Sequence, residues 1–236
     1  MSTELIWPAP AATMPVRARL DVVAVDSTGA VVEAPTVDDA AVFLAGAAVT
    51  TGTVVLRNWE ALAADPAAGL LRDLLATFGT YVVRSAEGLT CTSRATSGHL
   101  DGVDHDLTAA PGLAGIAVVL AALADSPSSL HGVSEAPRVA EVLENVTALG
   151  GDATVRAGVV EIVPGPLRAG AWQSHGDPRL GAFGAVLGLV IPGVRIAGLS
   201  PDAPGLRPFL KAWRWAMTAD ENILPGTSTG TVPYYG

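Results

Sequence analysis

Two short stretches carry the residue types that handle anions and protons. Glu135-Ala136-Pro137-Arg138 and Asp177-Pro178-Arg179 each set an acid two or three residues ahead of an arginine, at predicted helix starts. A guanidinium there offers a two-pronged fork for a carboxylate or phosphate, beside helix N–H groups that favour the same charge. Arg138 and Arg179 are therefore candidate substrate-binding residues. The competing reading is local: Arg138 paired with Glu135 at i,i+3, and Arg179 paired with Asp177, would merely cap helices. Glu135 is a candidate general acid or base, and Asp177 joins it in the catalytic set. Trp172-Gln173-Ser174-His175-Gly176 lead into Asp177 on a loop expected to rim a cavity. There His175 could shuttle protons near neutral pH, against the plainer reading of a surface histidine without a role. Trp172 is assigned to the substrate side of that rim.

A second cluster, His99-Leu100-Asp101-Gly102-Val103-Asp104-His105-Asp106, crowds two imidazoles and three carboxylates. Adjacency alone does not make ligand geometry, so no metal and no cofactor is expected. Cys91 alternates on a predicted strand and reads as buried packing. Phosphate-binding glycine loops, nucleophile elbows and zinc spacings are absent from the sequence.

These residues need a frame, and the frame repeats. Three segments begin with a helix of small apolar residues, at 40–49, 113–124 and 180–190. Each runs through a turn at Gly52, Pro127 or Gly193 into a strand, at 53–56, 128–131 and 194–199, and then into a more polar helix, at 67–78, 138–149 and 206–217. The first two units continue into hairpins, 80–84 with 89–93 and 153–156 with 159–163, whose turns hold Gly88 and Gly158. The third lacks one. A hairpin spanning 16–33 is expected to complete it from the N-terminal side, giving one domain over 1–219 and an irregular tail at 220–236. Helices without large side chains pack closely, so they belong at the centre with the strands outside: an inside-out α/β arrangement.

Composition sets the outer limits. The 236 residues are 50% hydrophobic and 16% charged, so most of the chain can bury a core. A net charge of −9 argues against a nucleic-acid surface. The longest apolar run, 114–124, is far short of the ~20 residues of a membrane span. With a single cysteine and no charged leader, a cytoplasmic location and no membrane contact are expected.

Several motifs, in their order and spacing, resemble the EPSP synthase family (3-phosphoshikimate 1-carboxyvinyltransferases), in its actinobacterial form. They include Ile6-Trp7-Pro8-Ala9-Pro10-Ala11-Ala12, Asp39-Ala40-Ala41-Val42-Phe43-Leu44-Ala45, Gly102-Val103-Asp104-His105-Asp106-Leu107, and Gly184-Ala185-Val186-Leu187-Gly188-Leu189 with Pro192-Gly193-Val194. The resemblance implies a domain of three βαβαββ units. It also implies a second such domain, which this chain bypasses by passing from Asp21-Val22-Val23 directly into 24–33.

The same resemblance bears on chemistry. Carboxyvinyl transfer joins two strongly anionic substrates and needs fixed cations. The family's two lysines have no counterpart: the stretch holding one is missing, and Pro204 stands at the other, with Lys211 the sole lysine. The acid expected before the second small-residue helix falls at Gly112. Glu135, Arg138, Asp177 and Arg179 remain from the family's motifs. The expectation is a repurposed enzyme of cyclase, lyase or isomerase type, acting on a small metabolite in secondary metabolism. The alternatives are a non-catalytic scaffold, homodimeric through the former cleft face, and half of a split transferase.

Overall fold

Small side chains decide the middle of this fold. In a computed structural model, α3 (Ala114–Ala122) is buried at all nine positions, and α1 (Val37–Ala48) and α5 (Pro178–Gly188) are buried along most of their length. These three helices pack on one another. Such close approach depends on glycine: a Cβ on Gly115 would stand 2.4 Å from Cε2 of Phe183, and one on Gly184 would stand 2.5 Å from Cδ1 of Trp172. The space is filled instead by the rings, each buried aromatic contributing about 1.5–3 kcal/mol.

The structure describes residues 17–21, 24–25, 31–33, 36–57, 59–86, 88–94 and 99–200, together with 203, 206, 209, 210, 213, 232 and 233. Around the helical centre lie β1 (Arg17–Asp21), β4 (Thr53–Arg57), β5 (Tyr81–Ser85) and β6 (Gly88–Thr92), with β13 (Val232–Pro233) at one edge. Their order is β13-β1-β4-β6-β5. A second sheet has the order β7-β8-β10-β9, from β7 (Asp104–Asp106), β8 (Ser128–His131), β9 (Asp152–Arg156) and β10 (Val159–Val163). In both sheets the first two strands are parallel and the last two form an antiparallel hairpin. With α2 (Pro66–Thr77) and α4 (Val139–Ala148), each completes a βαβαββ unit. A third unit opens the same way, β11 (Gly170–Gln173) parallel to β12 (Val194–Ala197) around α5, followed by helical positions at 206, 209, 210 and 213.

The outer helices show the amphipathic spacing that α3 lacks. α2 buries Ala68, Leu71, Leu74 and Leu75, and α4 buries Val139, Val142, Asn145 and Val146, a stripe at helical period. The hairpin between β9 and β10 turns through Ala157 and Gly158, both at positive φ, as a two-residue turn of that hand requires. The expected inside-out α/β architecture is therefore the observed one.

Three differences stand out. β1 lies parallel to β4 in the first unit's sheet, where the sequence reading grouped 16–33 with the third unit. Among the described residues of 16–33, β2 (Ala24–Val25) and β3 (Val31–Glu33) are the part that pairs as a hairpin. β11 is a strand that takes in Trp172 and Gln173, where the sequence suggested a loop, because four residues leave little periodicity to read. The tail at 220–231, Pro204 and Lys211 lie outside the described residues. Among the described residues, no helix is long and apolar enough to cross a membrane.

Candidate functional site

Several helices begin at one end of the domain, and ion pairs tie those beginnings together. Arg138, the residue preceding α4, sends Nε to Oδ2 of Asp177 at 2.5 Å. Asp177 is the N-cap of α5, and its Oδ1 accepts from the backbone N–H of Arg179 at 2.8 Å. Pro178 follows at the first helical position, where a missing N–H costs nothing. Arg179 then reaches the start of α1. Its Nη1 lies 3.2 Å from Oδ2 of Asp38, while its Nη2 lies 2.6 Å from Oδ1 of Asp39 and 3.4 Å from Oγ1 of Thr36.

The start of α1 is itself fixed. Thr36 accepts from the N–H of Asp39, and Asp39 Oδ2 accepts from the N–H of Thr36, a reciprocal capping box. Asp38 is left to face inward, over Pro111-Gly112-Leu113 at the approach to α3. A Cβ on Gly112 would stand 2.3 Å from Oδ2 of Asp38 and 2.5 Å from Oδ1. The carboxylate thus fills the volume a side chain at 112 would take.

Burial pushes the Asp38 carboxyl above its ordinary value, and Arg179 offsets this only in part, with Asp39 and Asp65 adding to the rise. For Arg179, burial alone would lower the pKa, but Asp39 and Asp38 more than compensate and hold it raised. It stays a cation.

The loop carrying Asp177 is pinned from below. Ser174 donates through Oγ to the carbonyl of Ala197 at 2.7 Å, and the N–H of Gly176 donates to the carbonyl of Gly198. Asn145, buried on α4, accepts from the N–H of Gln173 and donates to the carbonyls of Gln173 and Glu141. That amide sets the distance between α4 and β11, hence between Arg138 and Asp177.

Of the residues singled out in the sequence, Arg138, Asp177 and Arg179 come together here. Their partners differ from the local reading: Arg138 takes Asp177 rather than Glu135, and Arg179 takes Asp38 and Asp39 across 140 residues of chain. Glu135 and His175 are exposed on the loops entering α4 and α5, His175 at a φ of 49°. Both oxygens of Asp177 are engaged, Oδ2 by Arg138 and Oδ1 by the backbone N–H of Arg179.

Trp172 is corrected. It lies on β11, is fully buried, and donates through Nε1 to the carbonyl of Leu180 at 2.8 Å, so it is a core anchor and not a rim residue. Asp38, Asp39 and Thr36 were missed, although Thr36-Val37-Asp38-Asp39 holds the capping-box spacing that marks a helix start at 36.

The histidine-rich run divides. His99 pairs with Asp125, Asp104 with His131, and Asp106 accepts from Thr108, whose bonds hold the Asp106 carboxyl below its ordinary value. Among the described residues no group of three or more His, Cys, Asp and Glu side chains gathers for a metal ion. Cys91 is buried, its Sγ 3.6 Å from the carbonyl of Leu44, and burial pushes its thiol up to about 12.

Comparison with known proteins agrees with this architecture. The pattern of the family described as EPSP synthase (3-phosphoshikimate 1-carboxyvinyltransferase) matches residues 27–201. A 3-phosphoshikimate 1-carboxyvinyltransferase of Kocuria rhizophila is 34% identical over 184 residues, covering 76% of this chain and 40% of that protein. One from Methanosphaerula palustris is 38% identical over 120 residues, covering 49% of this chain and 28% of that protein. The solved EPSP synthase of Acinetobacter baumannii superposes with a TM-score of 0.55 at 23% identity, covering 70% of this chain and 42% of the other. The chain thus spans about two-fifths or less of the length of these relatives.

Proposed function

The chain belongs to the EPSP synthase family, and on that premise we propose that its own residues serve proton-transfer chemistry on a small metabolite rather than carboxyvinyl transfer. The reaction class is a cyclisation, elimination or isomerisation, which positioned acids and bases can drive without transferring a group between two anions.

One observation carries this reading: both arginines at the convergent helix starts already hold carboxylates of the chain itself, Arg138 with Asp177 and Arg179 with Asp38 and Asp39. A site for two anionic reactants needs uncommitted cations. With Gly112 at the position of the family's acid, and one lysine among 236 residues, the local charge runs the wrong way for that task. We assign proton exchange with a ligand to Glu135 and His175, exposed on the loops entering α4 and α5, while Asp177 holds Arg138 in place.

The test has two arms. Purified protein supplied with shikimate 3-phosphate and phosphoenolpyruvate should release no orthophosphate above background. Mass spectrometry of a strain lacking the gene should show one small metabolite accumulating and another lost, restored by the wild-type gene and not by Glu135→Gln/His175→Ala. Enzymatic orthophosphate release, or a requirement for aromatic amino acids in the deletion strain, overturns the proposal. An unchanged metabolite profile favours a scaffold instead.

A further inference from the structure

An arginine in the first turn of a helix is ordinarily an invitation to an anion, because guanidinium and helix N–H groups favour the same charge. Arg179 sits in such a turn, yet its fork is filled from within the chain. Asp39 binds Nη2 at 2.6 Å, Asp38 lies 3.2 Å from Nη1, and Thr36 Oγ1 completes the ring at 3.4 Å. All three come from the start of α1, where the helix favours the negative charge of the two aspartates.

The filling depends on which residues meet at this point. Asp38 can reach Arg179 in this way because position 112 is glycine; any side chain there would occupy the carboxylate's volume. Asp39 is held by the capping box, so its second oxygen is already aimed. The local charges are two carboxylates against one guanidinium, with the neighbouring Arg138 balanced by Asp177 and Asp65 adding a further negative influence on Asp38. A phosphate or carboxylate approaching Arg179 must break the Asp39 contact and place its own charge beside two others in a half-buried setting.

We propose that Asp38 and Asp39 are specificity-determining residues, a built-in anion that closes Arg179 to phosphate and carboxylate groups and restricts the site to uncharged or cationic small molecules. This rests on the reading that the domain acts on a small metabolite at this end, and it names the charge class of that metabolite.

The experiment uses inorganic phosphate, and phosphoenolpyruvate as a second anion, titrated into the full chain while the backbone N–H signal of Leu180, in the first turn of α5, is followed by NMR. In the wild type the signal should not move in a saturable way up to tens of millimolar. In Asp38→Asn/Asp39→Asn, which keeps side-chain oxygens for the cap, it should move saturably, with apparent affinity at least about tenfold higher. Adding Arg179→Gln should abolish that gain. Saturable wild-type binding that is lost on Arg179→Gln overturns the proposal, as does a folded double variant with affinity within about threefold of wild type. Should the double variant fail to fold, Asp38→Asn alone, which leaves the capping box intact, is judged by the direction of the same change. The readout is equilibrium binding, so it stands apart from turnover. Phosphate bound by a wild type that releases no orthophosphate sinks this inference alone, whereas orthophosphate release sinks the functional reading.

Discussion

Gly115 and Phe183 occupy one contact between the central helices: a Cβ on the glycine would fall 2.4 Å from Cε2 and 3.0 Å from Cζ of the ring. The ring is fully buried and cannot swing into water. Gly115→Ala should therefore destabilise the domain by about 1–3 kcal/mol, the usual effect of overpacking a filled core. Urea denaturation reads it directly. A change below about 0.5 kcal/mol would mean that α3 and α5 separate more easily than the packing implies.

Gly112 and Asp38 form a second such pair, near the surface. Gly112→Ala should force the Asp38 carboxyl away from Arg179 and cost about 1–3 kcal/mol. In an Asp38→Ala background the same change should be nearly neutral. A double-mutant cycle measures the difference, and additive effects would separate the two residues.

Arg138 holds a left-handed backbone, φ 69° and ψ −4°, which costs an L-residue roughly 1–2 kcal/mol. Arg138→Ala loses the Asp177 pair and keeps the strain; Arg138→Gly loses the pair and relaxes it. The glycine variant should be the more stable of the two by about 1 kcal/mol in chemical denaturation. Equal stabilities would place the strain elsewhere.

Asp38 should leave a mark on pH dependence. Because its folded pKa lies above the ordinary 3.8, the folded state binds that proton more tightly than the unfolded chain. The resulting stability is complete below 3.8 and is lost as pH rises through the raised value. Asp38→Asn removes this dependence, so the variant should gain on wild type as pH rises above about 4 in paired denaturation curves. A relative loss over that range would show that attraction to Arg179 outweighs burial.

Cys91, buried and with its thiol pushed up to about 12, has almost no thiolate at neutral pH. A disulfide-exchange reagent such as DTNB should label it slowly in the native protein and stoichiometrically once denaturant is added. Fast native labelling would expose a path to the β4–β6 interface that the packing does not contain.

Much of this architecture is legible in the sequence because two features repeat. Alanine- and glycine-rich helices mark the centre, and strand 128–131 and hairpin 159–163 fall where turn residues place them. What escaped was set by contacts between distant segments. Trp172 looks like a loop residue until β12 pairs beside it, and the partners of Arg179 lie about 140 residues away at the start of α1. Arginines were visible as candidates, and so was pairing within the chain; the distant partners they take were not. Nothing in local spacing records that a glycine at 112 makes room for an acid at 38.

Among the described residues, β5 and β9 each form one edge of their sheets, and Tyr81, Val83 and Val155 on them face water. Backbone groups along such margins invite a strand from another molecule. What stands in the way is a few charges: Arg84, paired with Glu60, on the first strand, and Asp152 and Arg156 on the second. Those margins are thus guarded by charged side chains in water, and concentrated salt, by screening them, weakens that guard.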